Sequence, residues 1–451
     1  MASAGSVFII GAGSSGTACA RALAAAGWDV TIAERDRVGG ACLWRACVPK
    51  KALYTTARMA REIEEVRNRG TFDGEFGADW QSALAWKWHS QETYAGDQEG
   101  ALTERGIRLL KSNDTHFVSA HDLESGGERF TPDHVVIATG SVPLVPALPG
   151  IEFADTSEEA LRYHEVPRSF LVVGGGFVGT ELGTIYASLG SDVTVVTHAS
   201  RLLDMLDEDI GEIASKRLQR RGVTIRTGSS VVALTRSSAG ISAHVRSDAG
   251  EEVLGPFERV LFAIGRVPAL DGLDLQAASI EQDERGQLIL DGYLRTTNPR
   301  VWAVGDAAGG MMQTPVANME GHTVARSIAG GQPLEVDTSA APMTAFASPQ
   351  LAQVGLTAEA AERLGIRVRV TIQPFEYLAA AIIDEERDGL VKLVFEEDTG
   401  RLLGGAVAAP SASDLIYSIV VGIAGGVTQE QLAGTVAIHP AFSEGVAWAA
   451  G

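Results

Sequence analysis

The apolar positions of this chain fall mostly into short continuous runs, each bounded by glycine. Residues 6–10 (Ser-Val-Phe-Ile-Ile) are too short for a helix and too uniformly apolar for a half-exposed strand, the pattern of a strand buried on both faces. An alanine-rich stretch beyond Ser14 predicts a helix ending near Gly27, and residues 29–33 predict a second strand. Runs of the same kind recur at 134–137, 170–173, 192–196, 261–264 and 301–304. Between them, residues 52–70 and 80–106 carry charges along one face and predict helices. From about residue 337 the pattern changes: strands at 368–374 and 390–395 and a helix over 413–425 predict an α+β region.

Glycine placement turns this pattern into a nucleotide fold. The first strand feeds Gly11-Ala12-Gly13-Ser14-Ser15-Gly16, then a helix, then a strand ending in Glu34. Strand, Gly-x-Gly-x-x-Gly, helix, strand and acid form the dinucleotide fingerprint: the glycines admit a pyrophosphate to the helix N-terminus, and the acid receives ribose hydroxyls. A Gly-rich turn without ligand is the competing explanation. The unit then repeats, with strand 170–173, the loop Gly174-Gly175-Gly176-Phe177-Val178-Gly179, a helix to Gly190 and strand 192–196. Two such units imply two nucleotides bound face to face. The second lacks the terminal acid and has Thr197, His198 and Arg201 instead, which leaves a 2′-phosphate unopposed and favours NADP over NAD. Arg201 has a second use open to it, capping the local turn.

Prolines 143, 146 and 149 mark a boundary near residue 145, and Gly265-Arg266-Val267-Pro268 closes the second unit. The expected division is 1–145 and 266–336 for a first nucleotide domain, 146–265 for a second inserted in it, and 337–451 for a last domain. The fold class is therefore α/β, with two Rossmann-like domains and a C-terminal α+β domain.

Composition narrows the partners. With 451 residues the chain exceeds one ordinary core, and a net charge of −20 opposes nucleic acid or an anionic membrane. The three cysteines suit a reducing cytoplasm better than a disulfide scaffold. No apolar run reaches membrane-spanning length.

Two of those cysteines carry the candidate chemistry. Cys42 and Cys47 lie in Gly39-Gly40-Ala41-Cys42-Leu43-Trp44-Arg45-Ala46-Cys47-Val48-Pro49-Lys50-Lys51, where a helix start lowers a thiol pKa and makes a redox nucleophile. No second Cys/His pair nearby completes a zinc site. Cys19, inside the first helix, is expected to be a small buried hydrophobe. Strand 134–137 ends in Ala138-Thr139-Gly140, and strand 301–304 delivers Asp306, suited to a ribityl chain or to helix capping. Thr314-Pro315 starts a helix whose N-terminus suits a flavin ring. Near the C-terminus, His439 and Glu444 in His-Pro-Ala-Phe-Ser-Glu can pair, the carboxylate orienting the imidazole as a base, or can be a surface accident. Trp80, Trp86 and Trp88 are expected to be packing residues.

Taken in order, these segments resemble the FAD-dependent pyridine nucleotide-disulfide oxidoreductases of the glutathione reductase and dihydrolipoamide dehydrogenase type, over nearly the whole chain. The resemblance implies FAD at the first loop with Gly11, Gly13, Ser14, Gly16, Glu34, Thr139, Gly140, Asp306 and Thr314, and a nicotinamide nucleotide at Gly174, Gly176, Gly179, His198, Arg201 and Gly265. Phe177 takes the place of the gating aromatic, and Lys50 or Lys51 pairs with Glu181 beside the flavin. Hydride passes through the flavin to a Cys42–Cys47 disulfide, Cys47 being nearer the flavin and Cys42 meeting the substrate. His439 and Glu444 come from the partner subunit of a homodimer. Ala41, Trp44, Ala46 and Ala269 depart from the usual residues, so the substrate entrance is expected to differ. Pro49-Lys50-Lys51, Thr314-Pro315 and Arg21 favour a glutathione reductase-like enzyme using NADPH and a small disulfide. A dihydrolipoamide dehydrogenase using NAD is the alternative, and a flavin-binding interaction protein without turnover is the alternative of another class.

Overall fold

The computed structural model describes residues 4–71, 73–74 and 77–451, which form two compact units. The first comprises Met1–Ala52, Leu84–Leu144 and Arg266–Thr338; the second comprises Leu53–Ala83, Val145–Gly265 and Ser339–Gly451. The division at 145, 265 and 336 is finer than this one and stands as a proposal.

In the first unit, β1 (Ser6–Ile10) lies between β2 (Asp29–Glu34) and the strand His134–Ile137, all parallel. β3 (Arg108–Lys111) extends the sheet beyond β2, and Val301–Ala303 extends it beyond His134–Ile137. The continuous apolar runs follow from this placement. Val7 and Ile9 point into one core with Val30, Ile32, Val136 and Trp302, while Phe8 and Ile10 point into the other with Val135, Ile137 and Val301. Each such aliphatic side chain contributes about 1.5–3 kcal/mol by burial. The first core is roofed by α1 (Ser14–Ala25) and the helix Thr314–Gly330, which approach so closely that a Cβ on Gly321 would lie 2.4 Å from the Ser15 carbonyl oxygen.

The second unit holds a parallel sheet in the order Thr224–Arg226, Asp192–Val196, Ser169–Val173, Arg259–Phe262. It also holds an antiparallel five-stranded sheet, Met343–Ala345, Gln350–Gly355, Leu402–Ala409, Leu390–Glu396 and Val368–Pro374 in spatial order. The helix Ala412–Ala424 buries Ile416 and Ile419 in the core of that sheet. The α/β class with an α+β end is as the sequence predicts.

Some local expectations change. The helix expected over 52–70 begins earlier: α2 (Gly40–Trp44) is followed by α3 (Cys47–Asn68), so Cys47 is its first residue. The helix expected over 80–106 is two, α4 (Trp80–Ala95) and α5 (Gln98–Thr103), because Gly96 turns at φ +49° and the Asp97 carboxylate accepts the Gly100 N–H at 2.7 Å, capping α5. Trp80 packs as expected, donating to the Tyr163 carbonyl at 2.9 Å beside Tyr186. Trp86 and Trp88 do not: they are 54% and 45% exposed, since α4 has no apolar stripe to bury them.

Candidate active site

The strands of the first unit are parallel, so their carboxyl ends lie on one side of the sheet, the side where ligands bind in open α/β sheets. Gly11 follows β1 at φ +108°, and a Cβ there would lie 2.3 Å from the Ala138 carbonyl oxygen. Gly16 permits α1 to close on the strand, since its Cβ would lie 2.0 Å from the Gly11 carbonyl oxygen. Gly13 caps α1 without a side-chain acceptor, so the helix opens with backbone donors facing outward. Glu34, buried at the end of β2, accepts the Ala12 and Asp36 N–H groups at 2.8 Å each and holds the loop to the strand end.

The cysteine segment is built onto this loop. Gly39 N–H donates to the Ala12 carbonyl at 2.9 Å, and a Cβ on Gly40 would stand 2.8 Å from the Gly13 Cα. The glycine pair thus lets α2 lie backbone to backbone against the nucleotide loop. Cys42 and Cys47 are free thiols joined by a hydrogen bond. Thr314, the first residue of its helix, places Oγ1 3.5 Å from Cys47 Sγ, and Ser14 bonds to Cys42.

This setting separates the two thiols. The hydrogen bond from Cys42 is the largest influence on Cys47, lowering it to about 6 against the opposing effect of burial, with Thr314, Lys51 and Lys50 assisting. Cys42 moves strongly upward, because it supplies that bond, is itself desolvated and faces the Cys47 charge. One proton shared unequally is a nucleophile poised beside its acid. Cys19 is fully buried and pushed up to about 12, an inert packing residue as expected. Lys50 is buried and Lys51 half-buried.

On this side of the sheet, Asp306 lies in the first turn after strand Val301–Ala303 and is not its cap; its Oδ2 accepts from Ser141 Oγ at 2.5 Å. Arg266 donates in turn to Ser141 Oγ at 2.7 Å and to the Ser141 carbonyl at 2.8 Å. Beneath them the Glu320 carboxylate accepts the Gly305 N–H at 2.6 Å, and burial raises it to about 7. Thr139 Oγ1 is buried without a hydrogen-bonding partner, next to Gly140 at φ +71°. An orphaned hydroxyl, uncapped helix donors and an oriented carboxylate on one side of the sheet fit a dinucleotide with a ribityl chain. The sequence names Arg266 only as part of the closing turn, and Ser141, next to Ala138-Thr139-Gly140, and Glu320 escape sequence reasoning altogether.

The second loop repeats the steric scheme in the second unit. Gly174 has φ +116° with a Cβ position 2.3 Å from the Ala263 carbonyl oxygen, Gly179 would meet the Gly174 carbonyl oxygen at 2.0 Å, and Gly176 caps the helix Phe177–Ser188. Gly265 turns at φ +133° with open space where a side chain would be. Phe177 packs half-buried against the cluster of Leu203, Leu206 and Ile210. Glu181 is buried and accepts the Phe346 N–H at 3.0 Å. Thr197 is buried and His198 exposed. Arg201 caps the local turn: its guanidinium donates to the carbonyls of Leu203 (2.9 Å), Asp204 (3.1 Å) and Leu206 (2.7 Å).

In the same unit, His439 Nδ1 meets Glu444 Oε1 at 2.9 Å, and the Ala441 N–H donates to Glu444 Oε2 at 3.0 Å. These bonds, the backbone one foremost, hold the Glu444 carboxyl below its usual range. The carboxylate is buried and the His439 side chain is 67% exposed, which leaves Nε2 open for proton exchange.

Comparison with known proteins agrees with this geometry. The pyridine nucleotide-disulphide oxidoreductase family model matches residues 5–321, and the dimerisation domain of the same family matches 341–450. The chain belongs to this family, in its class I, and is a flavin-dependent disulfide oxidoreductase. Dihydrolipoyl dehydrogenases of Halobacterium salinarum and Haloferax volcanii are 33% and 34% identical, covering 97% and 98% of this chain and 94% and 95% of their own. A mercuric reductase of Bacillus cereus is 31% identical over 97% of this chain and 70% of its own. Among solved structures, LpdA of Mycobacterium tuberculosis gives a TM-score of 0.89 at 26% identity, covering 99% of both chains. The HOCl-induced flavoprotein disulfide reductase RclA of Escherichia coli gives 0.87 at 26% identity, again covering 99% of both. The relatives are mostly named dihydrolipoyl dehydrogenase, which favours the alternative over the glutathione reductase-like expectation. Among the described residues no helix is long and apolar enough to cross a membrane.

Proposed function

We propose that the chain oxidises a small dithiol of the dihydrolipoamide class, with NAD as final acceptor, through Cys42 and Cys47. The hydrogen-bonded thiol pair beside Thr314 carries this reading. Relatives named dihydrolipoyl dehydrogenase support the substrate class. NAD is favoured because Arg201, one of two cations offered for a 2′-phosphate, is spent on three carbonyls.

In the oxidised pair a substrate thiolate attacks Cys42, breaking the Cys42–Cys47 bond and releasing Cys47 as the thiolate its surroundings favour. The second substrate thiol then displaces Cys42, leaving a cyclic or linear disulfide product and two reduced cysteines. His439 of the partner subunit takes the substrate proton on Nε2, with Glu444 stabilising the imidazolium. Bound FAD supplies the two-electron chemistry between thiols and nicotinamide. Gly11, Gly13, Ser14, Gly16, Glu34, Thr139, Gly140, Asp306 and Thr314 would hold it, and Lys50 or Lys51 would lie beside it with Glu181. Gly174, Gly176, Gly179, Gly265 and His198 would hold the nicotinamide nucleotide, with Phe177 as its gate. The assembly is a homodimer through the last domain, acting in the cytoplasm.

A second reading, NADPH-dependent reduction of a small disulfide, is favoured by the Thr314-Pro315 helix start that touches Cys47. Anaerobic titration of the holoenzyme with dihydrolipoamide, NADH and NADPH distinguishes them. Dihydrolipoamide and NADH should each raise a long-wavelength thiolate–flavin band, with NADH preferred over NADPH by about tenfold or more. Preference for NADPH together with turnover of glutathione disulfide would establish the second reading, and flavin bleaching without the band would sink both. Cys47→Ser should abolish the band.

A further inference from the structure

The residues between the cysteines are tied down from outside the segment. Gln91, on α4 and 1% exposed, donates from Nε2 to the Leu43 carbonyl at 2.9 Å and to the Trp44 carbonyl at 3.2 Å. These are the last two carbonyls of the five-residue helix α2, groups that a helix end leaves unsatisfied. The other side of the same amide, Oε1, is buried with no hydrogen-bonding partner. An orphaned buried acceptor costs about 1–3 kcal/mol, so an apolar residue of the same length would pack here at less cost unless the two donated bonds matter. Neighbouring ties hold the same stretch: Trp44 Nε1 donates to the Val38 carbonyl at 2.8 Å under the Arg37 guanidinium, 3.4 Å from the ring centre, and Arg45 pairs with Asp36 at 2.8 Å. Gln91 is the buried member of this set, and its bonds fall midway between the two cysteines in the chain.

We propose that Gln91 is a positioning residue for the redox cysteines: by clamping the carbonyls of Leu43 and Trp44 it fixes the link between Cys42 and Cys47 and keeps the two sulfurs within hydrogen-bonding distance. The inference rests on the assignment of Cys42 and Cys47 as the redox pair. Its physical content is geometric. The thiol–thiol bond favours the Cys47 thiolate only while Cys42 points at it, and the direction in which Cys42 points is set by α2. Release of the α2 C-terminus lets Cys42 turn away, and Cys47 then loses its strongest stabilising contact.

The test uses the holoenzyme, reduced anaerobically, with Gln91→Met, which keeps length and volume and removes both donors. Site-resolved alkylation of Cys47 by iodoacetamide is followed by mass spectrometry against pH, alongside the pH titration of the long-wavelength band, steady-state kinetics and thermal melting. Gln91→Met should move the midpoint of both titrations upward by on the order of half a unit or more. It should also lower kcat by about tenfold with KM nearly unchanged. A merely structural role would change the melting temperature alone. Wild-type titrations and kcat in Gln91→Met would overturn the proposal. If Met is not tolerated, Gln91→Asn, one methylene short of the carbonyls, gives the same decision. A wild-type enzyme without the band would count against the redox assignment itself, whereas a normal wild-type band with an unshifted variant counts against Gln91 alone.

Discussion

The two glycine loops, at residues 11–16 and 174–179, satisfy one steric scheme almost identically. The first glycine of each lies at φ +108° or +116°, with its Cβ position 2.3 Å from a carbonyl oxygen of a neighbouring strand end, and the last has its Cβ position 2.0 Å from the first glycine's own carbonyl oxygen. They part at the end of the next strand. In the first unit Glu34 reaches back to the Ala12 N–H, so the loop is held by a buried charge. In the second, Thr197 stands there, its Cβ 3.0 Å from the position a Cβ on Gly175 would take, and the loop is held without a carboxylate: the Gly175 carbonyl accepts the Leu203 N–H at 2.8 Å and the Thr180 hydroxyl at 3.1 Å. The shared part closes a helix onto a strand and is indifferent to the ligand. We propose that selection of the nucleotide belongs to the residue that differs.

The strongest way to break this comparison is to fill the shared space. Gly16→Val should lower flavin content of the purified protein by at least tenfold, roughly, by forcing α1 off β1. Gly179→Val should leave flavin content intact and weaken nicotinamide nucleotide binding by a similar factor, read by fluorescence titration. Flavin loss in both would mean the loops are not independent. Next in size, Thr197→Glu supplies the second strand end with an acid and should shift the kcat/KM ratio toward NADH over NADPH by about tenfold. An unchanged ratio would place selectivity elsewhere.

A pH effect tests the surroundings of the first site. Glu320 is raised in the folded protein to about 7, chiefly by burial with Asp306 adding repulsion, from 4.5 for an ordinary carboxyl. A raised carboxyl favours folding while neutral, so its contribution is complete below pH 4.5 and is lost as pH rises through 7. Replacing Glu320 by glutamine keeps an acceptor for the Gly305 N–H without that charge. Glu320→Gln should therefore raise stability by about 2 kcal/mol at pH 8 and by much less at pH 5, measured by denaturant unfolding. Equal effects at both pH values would remove the electrostatic account. The smallest change expected is Arg201→Ala, which frees three carbonyls and should cost about 1 kcal/mol in stability while leaving KM for NADPH within twofold, roughly. A large rise in that KM would restore Arg201 to the cofactor.

Both loops, the cysteine segment and the strand-end acids were legible in the sequence because each requirement is local: a positive φ, a close backbone approach or a short buried run leaves its mark within a few residues. The partition of tasks around them was not. Ser141, Arg266 and Glu320 acquire meaning only when strands far apart in the chain bring them to Asp306 and Gly305. Gln91 left no mark at all, being one polar residue in a helix without an apolar stripe. Arg201 had two uses open in the sequence, and spacing alone could not show that the carbonyls of the following turn engage its guanidinium. The break between α4 and α5 was written in Gly96 and Asp97, and the charged pattern continuing beyond them concealed it.

The pairing of Val301–Ala303 with His134–Ile137 has a consequence for synthesis. During translation the strand 134–137 can dock on β1 early, yet its outer edge stays unpaired until the ribosome has made the whole second nucleotide unit and the segment that follows it, up to Ala303. Contacts of such separation slow folding, and an apolar edge exposed meanwhile is a template for wrong pairing. The nascent chain thus carries an unfinished sheet for roughly ten seconds or more at ordinary elongation rates of about 5–20 residues per second. Overproduction should be limited by this interval, which makes slower synthesis at lower temperature, or a holdase present throughout translation, the conditions that favour soluble holoenzyme.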